Sequence, residues 1–147
     1  MSVRQRVIFG KLCEKNLQQR IEHFLGTTLT PTTATYDKVD YTTREGDLVE
    51  LKSRPASRNF NVLTPQGPET YKAWFFPVCK TENLDAPLHI FYWYETNNSL
   101  WYCKYEDEKF SRYKKTVPFR HRTNQLHYLI PKEHFAEIPI ATASFMP

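Results

Sequence analysis

The run VDYTTREGDLVELKSR, from Val39 to Arg54, constrains the fold more than any other stretch of the chain. Two extended segments, Tyr36–Tyr41 and Leu48–Ser53, flank the turn sequence Glu45-Gly46-Asp47, which predicts a β-hairpin. Side chains along a strand alternate between faces, so Leu48, Glu50 and Lys52 share one face and Val49 and Leu51 the other. Matching the apolar Val39 and Tyr41 to Val49 and Leu51 sets Asp40 beside Glu50 and Lys52. That pairing requires an odd loop centred on Glu45. A two-residue Glu45-Gly46 turn would shift the register by one and bring Asp37 in as the fallback.

Around this hairpin the chain reads as one domain spanning residues 1–147. Phe9, Leu12, Leu17, Ile21, Phe24 and Leu25 follow a helical stripe from about Val7, with Gly26 as its C-cap. Thr27–Tyr36 is a Thr-rich loop running into a strand, and Arg54–Glu69 is a Pro-rich loop. Thr70–Lys80 predicts a strand with a bulge or a sheet edge at Pro77. Leu88–Tyr94 and Ser99–Tyr105 form a second, aromatic hairpin. Glu106–His121 is charged and irregular, Leu126–Ile130 is a short strand, and Pro131–Ile138 reads as one or two helical turns. The fold class is α/β: a mixed sheet with the N-terminal helix packed on one face and the aromatic hairpin added to it.

Composition bounds the chemistry. The formal charge of +4 suits a polyanionic partner without singling one out. The three cysteines, Cys13, Cys79 and Cys103, form no CxxC pair, which argues against a disulfide framework or a zinc cluster and for a reducing compartment. The opening MSVRQRVIFGKLCEK has no long apolar run, and no window approaches a membrane span. The expectation is a soluble, intracellular protein with no membrane partner.

Two carboxylates and an ammonium on one strand face suit a hard divalent cation such as Mg²⁺. A lysine beside that cation can position or deprotonate an attacking water. The hairpin with Asp40 and Glu50-Leu51-Lys52 resembles the PD-(D/E)xK nuclease superfamily. The string VELKSR (Val49–Arg54) resembles the ExK strand of archaeal Holliday-junction resolvases and of small nuclease-like proteins from large DNA viruses. The resemblance implies a restriction-endonuclease-like αβββαβ core and hydrolysis of DNA phosphodiester bonds with Mg²⁺ or Mn²⁺. Carried over, Asp40 and Glu50 would hold the metal and Lys52 would act on the water. Gly10-Lys-Leu-Cys-Glu14 resembles the resolvase pattern in which a first-helix glutamate, here Glu14, joins the site. FPVCK, ending at Lys80, resembles the viral-type proteins, where that lysine would contact phosphate. Resolvase-like nucleases commonly work as dimers, so a homodimer accompanies the resemblance. The sequence itself leaves the oligomeric state open.

Plainer readings stand beside these. Asp40, Glu50 and Lys52 also fit an exposed ion-pair patch, although LVELK reads as a central strand, where a charge must be paired or bind metal. Glu14 equally fits a helix surface. The basic residues Arg54, Arg112, Lys114, Lys115, Arg120 and Arg122 suit phosphate contacts or a solvated loop. The aromatics of Leu88–Tyr105 favour packing over stacking on bases. The functional alternative to a nuclease is a catalytically inactive protein of nuclease fold that binds nucleic acid or another partner.

Overall fold

The computed structural model describes residues 16–32, 39–54, 73–94, 98–117 and 125–139. Helix α1 is described over residues 16–25 and ends where its sequence dictates. Gly26 adopts φ +68°, a left-handed conformation that costs glycine little. Its N–H and that of Thr27 both donate to the Glu22 carbonyl, at 2.9 and 3.2 Å, capping the helix. The Glu22 carboxylate accepts the Leu29 N–H at 2.8 Å, tying the helix to the first strand.

Six strands form the main sheet. They are β1 (Leu29–Pro31), β2 (Tyr41–Thr43), β3 (Leu48–Arg54), β5 (Leu88–Tyr94), β6 (Ser99–Lys104) and β9 (Ala136–Ile138), in spatial order β1-β2-β3-β5-β6-β9. Only the β3–β5 pairing is parallel; the other neighbours are antiparallel. A second, antiparallel sheet has the order β4 (Ala73–Pro77), β8 (His127–Pro131), β7 (Lys114–Thr116).

Alternation along β3 and β5 divides the interior into two cores. Tyr41, Val49, Phe91 and Leu100 meet Leu17 and Ile21 of α1 on one face. Leu88, Ile90, Tyr92 and Cys103 meet Trp74, Phe76, Tyr128 and Ile130 of the small sheet on the other. Ile90 and Phe91 are both fully buried although they point to opposite faces. Burying each stabilises the fold by roughly 1.5–3 kcal/mol. Trp74 anchors the inter-sheet core. Its ring stacks on Tyr92 at 4.9 Å and meets Phe135 edge-on at 4.8 Å.

The hairpin has the odd loop. Tyr41 pairs with Val49 and Thr42 with Leu48, and the Thr43 N–H donates to the Asp47 carbonyl at 2.8 Å. The register is centred on Glu45. The Gly46 N–H closes the turn on the Thr43 carbonyl at 3.0 Å, and its φ of +93° makes the bulge that an odd loop needs.

Elsewhere the structure departs from the sequence reading. Strand β2 begins at Tyr41, after a bend at Val39 and Asp40, rather than at Tyr36; residues 33–38 lie outside the described residues. The strand predicted to Lys80 stops at Pro77, which ends β4 at the edge of the small sheet. Val78–Thr81 follow as a 3₁₀ turn. Glu106–His121 is not wholly irregular: it holds the one-turn helix α2 (Asp107–Phe110) and β7, with Phe110 fully buried. Pro131–Ile138 is a single 3₁₀ turn (Lys132–His134) followed by β9, because Ile138 pairs with Leu100 at the sheet edge. The aromatic hairpin is not an addition. Strand β5 pairs with β3 along its whole length and lies inside the sheet. No α-helix appears between β3 and β5 among the described residues, which exclude 55–72.

Candidate metal and catalytic site

The β2–β3 ladder ends at Tyr41–Val49, and Asp40 lies in the bend just before it. The Asp40 backbone N–H donates to the Val49 carbonyl at 3.0 Å, and its Oδ2 accepts the Leu51 N–H at 2.8 Å. Asp40 is thus fixed to β3 by main chain and side chain while remaining exposed.

Glu50 faces the small sheet and is 1% exposed. A carboxylate cannot be left there without counter-charge. Its Oε2 meets the Lys52 ammonium at 3.6 Å and is in direct contact with the Lys80 ammonium. Lys52 lies two residues along the same strand. Lys80 comes from the 3₁₀ turn after β4, in the other sheet. Burial pushes the Glu50 carboxyl up to about 7, and a hydrogen bond with the Asp40 carboxyl adds to the rise. Lys52 and Lys80 oppose the shift without cancelling it.

The structure therefore brings Asp40, Glu50, Lys52 and Lys80 together. Sequence reasoning assigned Lys80 to phosphate, whereas its ammonium lies on Glu50. Lys114 and Lys115 are exposed on β7, with the Lys115 ammonium 5.5 Å from the centre of the Tyr128 ring. The Tyr128 hydroxyl hydrogen-bonds the Thr81 hydroxyl at 3.2 Å, beside Lys80. Arg54 ends β3, and nothing is described of its side chain. Glu14, Asp37, Arg120 and Arg122 lie outside the described residues.

A divalent cation fits this donor set. Magnesium needs only one or two protein carboxylates, with water and phosphate oxygens completing its shell. Asp40 and Glu50, hydrogen-bonded to each other, could supply the two. Glu50 Oε2 is buried, and its charge partners are the Lys52 and Lys80 ammonium groups. Among the described residues no group of three or more His, Cys, Asp or Glu is gathered for a metal, so the carboxylates would act as a pair.

A second polar cluster on the α1 face escaped the sequence reading. His89 is 8% exposed. Its Nε2 lies 2.9 Å from Asp47 Oδ2 and its Nδ1 2.7 Å from the Tyr102 hydroxyl. With Nε2–H donating to Asp47, Nδ1 accepts the phenol proton, and each polar atom is satisfied. Burial, followed by the neighbouring Cys103, Asp47 and Glu106, pushes Tyr102 up to about 12, so its hydroxyl stays a donor. The signal was in the alternation: His89 shares a face with the buried Phe91, where a polar ring requires partners.

No helix among the described residues is long and apolar enough to cross a membrane. No protein-family model, curated protein or solved structure matches the chain.

Proposed function

We propose that the protein is a divalent-metal-dependent nuclease of the PD-(D/E)xK type, acting on DNA. The observation that carries this reading is the meeting of the Asp40 side chain, from the bend before β2, with Glu50 and Lys52 of β3, Glu50 being buried and hydrogen-bonded to Asp40. The element order supports a restriction-endonuclease-like core: α1, the antiparallel run β1-β2-β3, then β5 parallel to β3. Bound Mg²⁺ or Mn²⁺ would lower the pKa of a water and neutralise charge on a phosphate. Asp40 and Glu50 would hold it. Lys52, one-third exposed and on the same strand face as Glu50, would orient the attacking water. Lys114 and Lys115, exposed on the edge strand β7, would hold the nucleic-acid backbone.

The test is cleavage of branched, duplex and single-stranded DNA, and of RNA, in Mg²⁺ or Mn²⁺. Wild-type protein is expected to cleave DNA, and Glu50→Ala and Lys52→Ala to abolish cleavage. Absence of any cleavage sensitive to these substitutions removes the enzymatic reading.

One observation favours the second reading, a nuclease-fold protein that binds nucleic acid or another partner without cutting. Two ammonium groups already neutralise Glu50 without a metal. On that reading calorimetry finds no Mn²⁺ binding, and Asp40→Asn leaves DNA affinity intact.

A further inference from the structure

The two lysines on Glu50 are held in different ways. Lys52 is on β3 itself, two residues from Glu50 on the same face, with β5 alongside at Tyr92. Lys80 arrives from the opposite sheet, on a turn whose backbone is anchored on both sides of it. The Val78 N–H donates to the Leu126 carbonyl at 3.0 Å. The Thr81 hydroxyl donates to the Val78 carbonyl at 2.8 Å and meets the Tyr128 hydroxyl. The Lys80 side chain, about one-quarter exposed, is a flexible stem on that fixed base.

Glu50 Oε2 is buried, and of its two ammonium partners Lys80 is the one in direct contact, so a cation ligated by that oxygen would crowd Lys80 first. A divalent cation and the Lys80 ammonium compete for one oxygen. Two positive charges that close repel, so cation binding would expel the ammonium. The expelled group would stay tethered beside the cation, where an anion that follows the cation would meet it.

We infer that Lys80 is an exchanging counter-ion: it occupies the cation position on Glu50 in the metal-free protein and passes to a phosphodiester oxygen of the nucleic acid when a divalent cation takes Glu50. This rests on the metal reading proposed above. It gives Lys80 a positioning role distinct from Lys52, which keeps its place beside the water.

Calorimetric titration of the full chain with Mn²⁺ at pH 8.5 tests the exchange directly. Lys80→Met and Lys80→Gln remove the competing charge and keep most of the stem. Each is expected to bind Mn²⁺ about tenfold more tightly than wild type, the scale of one lost charge–charge repulsion. Lys80→Arg keeps the charge and is expected to bind Mn²⁺ within about threefold of wild type. A gain in affinity cannot come from unfolding, and circular dichroism of each variant confirms the fold. Fluorescence anisotropy with a duplex oligonucleotide in Ca²⁺ supplies the second half. Ca²⁺ is expected to strengthen DNA binding by wild type more than by Lys80→Met. Unchanged or weaker Mn²⁺ affinity in both neutral variants, with wild type binding Mn²⁺, overturns the exchange and leaves the metal reading standing. No Mn²⁺ binding by wild type or any variant overturns both.

Discussion

Asp40 reaches across the hairpin to accept the Leu51 N–H at 2.8 Å, so a side chain fills the ladder position where β2 has bent away. The bond holds the Asp40 carboxylate beside Glu50. Asp40→Asn keeps an oxygen that can accept from Leu51 and removes the charge. The expected result is a stability change under about 1 kcal/mol, with Mn²⁺ affinity reduced tenfold or more. Asp40→Ala loses both and is expected to cost about 1 kcal/mol in urea denaturation. A large loss of stability in Asp40→Asn would place the role of Asp40 in folding rather than in cation binding.

Glu50 makes stability depend on pH in an unusual direction. Its carboxyl is raised from 4.5 to about 7, so between these values the folded state holds a proton that the unfolded chain has released. Stability then falls as pH rises through that window, by roughly 3 kcal/mol for the full shift. The melting temperature is expected to decline from pH 4.5 to 7.5, and Glu50→Gln to flatten the decline. The same proton competes with a cation, so Mn²⁺ should bind weakly below pH 6 and more tightly above 7. A profile that rises over this range in wild type would contradict the buried, Asp40-coupled state of Glu50.

The odd loop rests on Gly46. A Cβ there meets nothing within 4 Å, so its φ of +93° is the only obstacle to substitution. Gly46→Ala is expected to cost about 1 kcal/mol, and Gly46→Val more, from backbone strain alone. Hydrogen exchange should quicken at Thr43 and Asp47 before it does in β5.

His89 joins the hairpin turn to β6 through Asp47 and Tyr102. His89→Ala strands two polar partners and is expected to cost about 2–3 kcal/mol. Tyr102→Phe removes one hydrogen bond and is expected to cost about 1 kcal/mol. Because this cluster lies on the α1 face, neither substitution should change Mn²⁺ affinity by more than about twofold if the two faces act independently.

The sequence made some of this legible and not the rest, for identifiable reasons. Face-matching chose the odd loop, and Tyr41 does share a core with Val49 and Leu51, but Val39 packs in the opposite core with Trp74 and Ile90, because the bend at Val39 and Asp40 breaks the alternation. Strands β5 and β6 were legible because long aromatic runs have few alternatives. Strands β1, β7 and β9 were not, since three residues are too few to carry a period. Two strands of the small sheet, β4 and β8, were foreseen, but their pairing with each other apart from the main sheet was not, and with it the partner that buries Glu50. Alternation assigns a side chain to a face but does not say which distant turn will cover that face. Lys80 was therefore visible as a cation and invisible as the counter-charge of Glu50. The metal expectation came from the carboxylates and lysine of the hairpin, and the nuclease expectation from resemblance; both remain proposals.

The contact between Lys80 and Glu50 also bears on how the site comes into being. Its two ends are thirty positions apart in the chain and belong to different sheets. A hairpin cut out as a peptide would keep Asp40, Glu50 and Lys52 but leave Glu50 in water, an ordinary carboxylate with an ordinary proton affinity. The distinctive chemistry of Glu50 is thus a product of docking between layers. Its titration near pH 7 would serve as a reporter of late assembly, emerging during refolding only after the small sheet has closed over β3.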